Sequence, residues 1–224
     1  MNDVTILIPA YNEAAFIQQT VKALGGLPHI REILVVDDGS NDNTAALAKQ
    51  AGAQIISQPV NQGKGSALNR GLKAAKGAYV CFVDADLGGS AAETVKLYSP
   101  VRDKKADLVI ASFPKPRIKG GFGVATKIAK LGLYIYTGTK FLSPLSGQRA
   151  MAMETALELA PFANGFGVEV GLTIDASRKG YRLLEVPVDM HHREGKRNLS
   201  GFRHRGRQCY HVARVLCHKV RRVN

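Results

Sequence analysis

The chain has 224 residues, 45% of them hydrophobic, enough for one α/β domain with a full core and short for two. Its 31 Lys and Arg against 18 Asp and Glu give a formal net charge of +13, and ten of those basic residues lie from Arg193 to the end, with Glu194 their lone acid. A basic tail of that kind points to an anionic partner, a lipid surface or a phosphorylated acceptor, and without an aromatic-plus-basic motif beside it nucleic acid is not expected.

In chain order, an apolar run over residues 4–9 predicts a strand that stops at Pro9-Ala10-Tyr11-Asn12-Glu13. Asn12 can cap the next helix, whose Ile17, Val21 and Leu24 recur at helical spacing. A second strand over 33–36 stops at Asp37-Asp38-Gly39-Ser40; a short helix over 44–50 and a third strand over 53–57 follow. Residues 65–76 predict a helix and 79–83 a fourth strand ending in Asp84-Ala85-Asp86. Ser90-Ala91-Ala92-Glu93 then reads as a capping box opening another helix, and 108–111 as a fifth strand. This alternation implies an α/β fold: a doubly wound, mainly parallel sheet with helices on both faces.

The alternation breaks from 113 to 144, where a Lys-punctuated apolar segment over 124–142 is an insertion or an amphipathic stretch. A returning strand over 148–153, a helix over 166–179, a strand over 181–188 and a basic helix over 202–220 complete the chain. We expect one domain over 1–224, with a nucleotide-binding half at 1–112, an acceptor half at 113–201 and a basic C-terminal helix at 202–224. Cys209 and Cys217 would lie roughly 12 Å apart along a helix, too far to share a zinc, and no uncharged run is long enough to span a bilayer. With three cysteines in no CxxC spacing and no signal peptide, the cytoplasm is the expected setting, and a peripheral place on the inner face of the membrane is allowed.

Each of three strands ends at a carboxylate, and open α/β sheets bind ligands at such rims. Carboxylates gathered where an anionic nucleotide binds call for a divalent cation, Mg2+ or Mn2+, between them. Asp84 and Asp86 are read as sharing one side of an extended segment across the small Ala85, with Asp86 the favoured direct ligand. Small residues at Pro9, Ala10 and Tyr11 let a base or ribose approach the backbone, and Glu13 can accept from ribose hydroxyls; a plain helix-dipole carboxylate is the alternative for Glu13. Asp37 reads as a turn former ahead of Gly39. Lys64 can pair with phosphate or with Asp38, or be a solvated lysine. Glu169, between apolar neighbours near a helix start, is a candidate base or acceptor-positioning group, or a helix-dipole carboxylate.

The motifs PAYNE, VVDDGS, NQGKG at 61–65, DAD and SGQRAM at 146–151 together resemble the inverting family-2 glycosyltransferases of the GT-A fold, particularly the dolichyl- and polyprenyl-phosphate sugar synthase branch. The resemblance implies that Asp38 contacts the base, and that a third metal ligand follows the last strand, where His192 of the His191-His192-Arg193 string stands; a surface histidine pair is the alternative, because adjacent residues on a strand point apart. It further implies that Arg197, Arg203, Arg205 and Arg207 meet a lipid phosphate, for which arginine forks are suited, a solvated basic face being the alternative. FGVEVG at 166–171 also looks like the corresponding string of glucosyl-3-phosphoglycerate synthases, a retaining GT-A family with a small phosphorylated acceptor.

The expectation is a metal-dependent hexosyltransferase that takes its sugar from a UDP- or GDP-sugar donor to an anionic acceptor, polyprenyl phosphate first, with inversion. Transfer to a phosphorylated hydroxy acid or another hydroxyl is the enzymatic rival, and a catalytically silent nucleotide-sugar-binding or membrane-docking protein is the non-enzymatic one. A nucleotidyltransferase fits poorly, because the first strand leads into PAYNE and not into a glycine-rich phosphate loop.

Overall fold

The computed structural model describes residues 3–113, 123–163, 167–191, 210 and 212–217. Seven strands form one sheet: β1 (Val4–Ala10), β2 (Ile30–Asp37), β3 (Gln54–Ser57), β4 (Tyr79–Phe82), β5 (Leu108–Ser112), β6 (Arg149–Ala152) and β7 (Leu183–Pro187), in the order β3-β2-β1-β4-β6-β5-β7. β1 pairs in parallel with β2 and β4, β2 with β3, and β5 with β7, whereas β6 runs antiparallel to both β4 and β5. The sheet is therefore mainly parallel, with one reversed strand near its middle.

Helices cover both faces, which is why the central strands are apolar without alternation. Ile6 and Ile8 of β1 pack in one core with Ile17, Val21 and Leu24 of α1 (Ile17–Gly25) and Leu97 and Tyr98 of α4 (Val95–Arg102); α2 (Thr44–Gln50) adds Ala48. Leu7, pointing the other way, packs with Ala67 and Leu68 of α3 (Lys64–Ala74), Leu133 of α5 (Gly123–Thr137), Ala156 of α6 (Met153–Leu159) and Leu172 of α7 (Val168–Arg178).

Several sequence expectations need correction. Asn12 caps nothing: it stands at φ 55, its Oδ1 accepts from the Asn41 amide at 2.9 Å, and α1 begins only at Ile17. Ser90 and Glu93 form no capping box, because residues Gly88–Thr94 make a 3₁₀ turn that runs into α4. Ser90 Oγ instead accepts from the His191 amide at 3.0 Å and Glu93 Oε2 from that of Asp189 at 3.1 Å, fastening the chain beyond β7 to the turn before α4. Pro9 and Ala10 belong to β1 itself, paired with Val36 and Asp37. Of the expected terminal helix over 202–220, residues 210 and 212–217 are helical, and the rest lies outside the described residues.

Acid should loosen this packing. A side-chain hydrogen bond from Arg182 holds the Asp107 carboxyl low against opposing burial, and Lys96 with the Asp189 amide does the same for Glu93. Carboxyls depressed on folding contribute stability that is complete above their unfolded pKa, near 4, and is lost as pH falls through the folded value. A thermal-melt series should thus be flat from neutrality to about pH 5 and fall below about pH 4, less steeply in Asp107→Asn; an identical acid limb in the variant would count against this.

Candidate active site

The loops beyond β1 and β2 are stitched together at the rim. The Asp38 amide donates to the Ala10 carbonyl at 2.8 Å, the Asn12 amide to Ser40 Oγ at 2.9 Å, and the Glu13 amide to Thr44 Oγ1 at 2.8 Å. Burial opposes charge on Asp42, but hydrogen bonds from the Thr44 hydroxyl and amide and from the Ala14 amide outweigh it and keep the carboxyl below its ordinary range. Tyr11 is exposed beside this seam and Glu13 is half-buried.

Asp38 is buried and accepts three hydrogen bonds from its own chain. Its Oδ1 accepts from Gln58 Nε2 at 2.9 Å and the Gln62 amide at 2.8 Å, and its Oδ2 from the Gly63 amide at 2.7 Å. It therefore shapes the loop that delivers Lys64, and Lys64 itself pairs elsewhere. Gly39 makes the tight fit possible: it stands at φ +75, and a Cβ there would lie 2.8 Å from the Asn61 amide nitrogen. Asp37 Oδ1 accepts from the Ser40 amide at 3.2 Å, the turn-forming role its position suggested.

Four chain-distant residues, Lys64, Asp84, Gln148 and Glu169, form one cluster. Lys64 Nζ lies 2.7 Å from Asp84 Oδ1 and 3.0 Å from Glu169 Oε1, and Gln148 Nε2 donates to Asp84 Oδ2 at 2.6 Å. Burial works against the Lys64 charge, yet the attraction of Asp84 and then Glu169 prevails and raises its pKa well above that of a free lysine. Beside them Arg149, fully buried, donates from Nε to the Ser146 carbonyl at 3.0 Å and from Nη1 to Thr173 Oγ1 at 2.9 Å. Burial pushes it down to about 10 while Glu169 and Glu185 pull it up, so it stays charged at neutral pH. Thr173 Oγ1 in turn donates to the Glu169 carbonyl at 2.8 Å, tying β6 to the first turn of α7. Gly147 leaves the room: a Cβ there would stand 2.3 Å from Lys64 Nζ.

Because β4 ends at Phe82 and Ala85-Asp86 form a turn, Asp84 and Asp86 do not lie on an extended segment, and strand parity does not relate them. The turn is held instead by Thr20 of α1, fully buried, whose Oγ1 donates to the Ala85 carbonyl and accepts from the Gly88 amide, both at 2.8 Å. Thr20→Val keeps the shape and strands both partners, which should cost about 1–3 kcal/mol and weaken Mn2+ binding about tenfold or more through the loosened turn. Urea unfolding and a Mn2+ titration in the presence of UDP measure the two effects; unchanged metal affinity would sever Thr20 from the site.

No group of three or more His, Cys, Asp or Glu suited to a metal occurs among the described residues. His192 lies outside them, as do Arg197, Arg203, Arg205 and Arg207. A hard cation of the magnesium kind is commonly held by one or two carboxylates plus substrate phosphates, and the half-buried Asp86 on its braced turn, next to Asp84, is a donor set of that chemistry.

Sequence reasoning missed Thr20, Gln148 and Arg149 as members of the site. SGQRAM carried the signal for the last two, since a Gln and an Arg in a run otherwise made for burial need partners; nothing in the sequence of α1 marks Thr20.

A family model described as glycosyl transferase family 2 matches residues 5–155. The glucosyl-3-phosphoglycerate synthase of Mycobacterium tuberculosis (strain ATCC 25618 / H37Rv) is 32% identical over 195 residues, 77% of this chain and 60% of that protein. Glycosyltransferase AglJ of Haloferax volcanii is 28% identical over 193 residues, 83% of this chain and 62% of that protein. This chain thus spans about 60% of the length of these curated relatives. The crystal structure of the M. tuberculosis synthase with Mn2+, uridine diphosphate and phosphoglyceric acid matches with a TM-score of 0.80 at 31% identity, covering 96% of this chain and 77% of that one, and the same enzyme is also solved with Mg2+ and uridine diphosphate.

Proposed function

The chain belongs to glycosyl transferase family 2, and from that membership we propose that it transfers a hexose from a nucleoside diphosphate sugar to a phosphate-bearing acceptor, with Mg2+ or Mn2+ held chiefly by Asp86. Its mixed seven-stranded sheet is of the GT-A kind. The observation that carries the proposal is the cluster of Lys64, Asp84, Gln148 and Glu169 set beside the Asp86 turn. Residues 1–112 would form the donor half, 113–201 the acceptor half and 202–224 a basic helix, within one domain. UDP is the first donor to test, since the solved relative holds it.

Pro9, Ala10, Tyr11 and Glu13 would line the nucleoside end, and Asp38 would hold the loop that walls it. An ammonium has three protons to donate; Lys64 gives two to Asp84 and Glu169 and would direct the third to a donor phosphate. Bound at Asp86, with Asp84 and Ala85 beside it and His192 as a further ligand, the cation would neutralise the departing nucleoside diphosphate. Glu169, occupied by Lys64, suits a positioning role better than proton abstraction. An acceptor phosphate is already ionised at neutral pH and attacks without a base, which supports polyprenyl phosphate as acceptor, direct displacement with inversion, and Arg197, Arg203, Arg205 and Arg207 as its phosphate contacts. Such an acceptor would be met at a lipid surface, in keeping with the lack of any membrane-crossing helix among the described residues. A second reading, transfer to a hydroxyl of a phosphorylated hydroxy acid, is favoured by the phosphoglyceric acid in the solved relative.

Acceptor-dependent release of UDP or GDP from a panel of donor sugars, with polyprenyl phosphate or phosphoglycerate, tests both. With a phosphate nucleophile, Glu169→Gln should keep substantial activity while Arg203→Ala with Arg205→Ala loses most of it. With a hydroxyl nucleophile, Glu169→Gln should lose about a hundredfold or more. Release with neither acceptor would overturn the proposal.

A further inference from the structure

Half of the large hydrophobic side chains exposed among the described residues lie on α5 or just past it: Val124 (65%), Leu131 (61%), Tyr134 (48%), Ile135 (69%) and Leu142 (62%). At 100° per residue, the four on the helix fall within a sector of about 100°. The exposed Lys127 lies inside that sector and the exposed Lys130 about 40° beyond its edge. The inner face is already filled: Ala129 and Leu133 pack in the core, Leu216 sits against Gly132, and the Tyr136 hydroxyl donates to the Leu216 carbonyl at 2.9 Å. The outer stripe is thus an apolar surface on a helix that should be polar outward, and such patches mark contacts.

Charge selects the occupant. No Asp or Glu occurs from residue 108 to 153, while Lys127, Lys130 and Lys140 of that stretch are exposed. Carboxylates meet it past α5: the Glu185 oxygens accept from the Leu142 and Ser143 amides at 2.8 and 2.9 Å, and Asp84 Oδ2 from Gln148 Nε2 at 2.6 Å. An isologous pairing of two copies through α5 would set lysine against lysine. A bilayer with anionic headgroups complements both features at once, because lysine stems can lie along the apolar surface while their ammoniums reach phosphates. We infer that α5 lies in the interface of an anionic membrane, with Val124, Leu131 and Ile135 toward the acyl boundary and Lys127 and Lys130 at the headgroups. This deepens the lipid-acceptor reading by naming the contact surface and takes only its purpose from that reading.

Co-sedimentation of the full chain with vesicles of phosphatidylcholine, alone or with equal parts phosphatidylglycerol and no acceptor, tests docking by itself. Binding should favour the anionic vesicles and weaken with salt. Leu131→Ser with Ile135→Ser should lower the partition coefficient about tenfold or more, the scale of two large aliphatic side chains withdrawn from an apolar phase. Lys127→Glu with Lys130→Glu should reduce the anionic preference, the basic tail beyond Arg193 keeping the remainder, and the exposed Leu157→Ser should change nothing. UDP affinity with Mn2+ should stay at the wild-type value in every variant, which verifies the fold. Wild-type binding by the serine pair overturns the inference, as does equal binding to neutral vesicles, or a wild-type dimer that the serine pair converts to monomer. Since no acceptor is present, a failed transfer assay with polyprenyl phosphate would sink the lipid-acceptor reading and leave this result standing.

Discussion

Asp86→Asn should lower turnover at saturating donor by about 10² to 10³-fold, the range seen when one preorganised electrostatic contact to a developing charge is removed, and should abolish the effect of Mn2+ on UDP affinity. The carboxylate is half-buried on a turn that Thr20 braces through the backbone and not through Asp86 itself, so the amide should leave the fold intact. Calorimetric titration of UDP with and without Mn2+, in both proteins, separates the outcomes. Wild-type UDP affinity should rise with the cation and the variant's should not. Metal-stimulated binding that survives in the variant would move the cation site off Asp86, and turnover without any divalent cation would remove the metal from the proposal altogether.

Lys64→Met should be the most damaging single change to stability in the site. It leaves Asp84 and Glu169, both partly or largely buried, facing each other without the ammonium that lies 2.7 and 3.0 Å from them. Breaking a buried pair by removing one partner costs about 3–5 kcal/mol; the residual exposure of Lys64 and Asp84 lets water recover part of that, so about 2–3 kcal/mol is expected. For a chain of this size that is a fall in Tm of roughly 5–10 °C. Donor affinity should drop as well, through the lost phosphate contact. Lys64→Arg restores charge but not fit, because Gly147 leaves no spare volume beside the ammonium, so it should recover stability only in part. A Lys64→Met protein that melts and binds UDP like wild type would show the cluster to be incidental.

What could be read in advance follows from range along the chain. The strands leading into PAYNE, VVDDGS and DAD are visible because each is a short apolar run closed by turn-forming residues, and such runs need no distant partner to be recognised. The two-faced burial of β1 follows from the same unbroken pattern, with Ile6 and Ile8 on one side and Leu7 on the other. Partnerships were not legible. That Asp38 also holds the loop over 58–63 could not be read, because the amides that turn toward it lie 20 to 25 residues away. The capping signals at Asn12 and Ser90 are real local preferences, overridden by the amides of Asn41 and His191, which only the folded chain brings near. β6 was expected, but its direction was not, since a four-residue apolar pattern reads the same both ways.

The reversed strand also orders events on the ribosome. When residues 1–112 have emerged, β3, β2, β1 and β4 can pair in parallel, but β4 then has an open edge, and Asp84 still lacks Gln148, which follows 64 residues later. Only synthesis through β6 closes that edge and supplies the amide at once. A chain cut between β4 and β6 therefore has an open β4 edge and a cluster short of Gln148 and Glu169, and should pair edge to edge with its own kind instead of persisting as a small module.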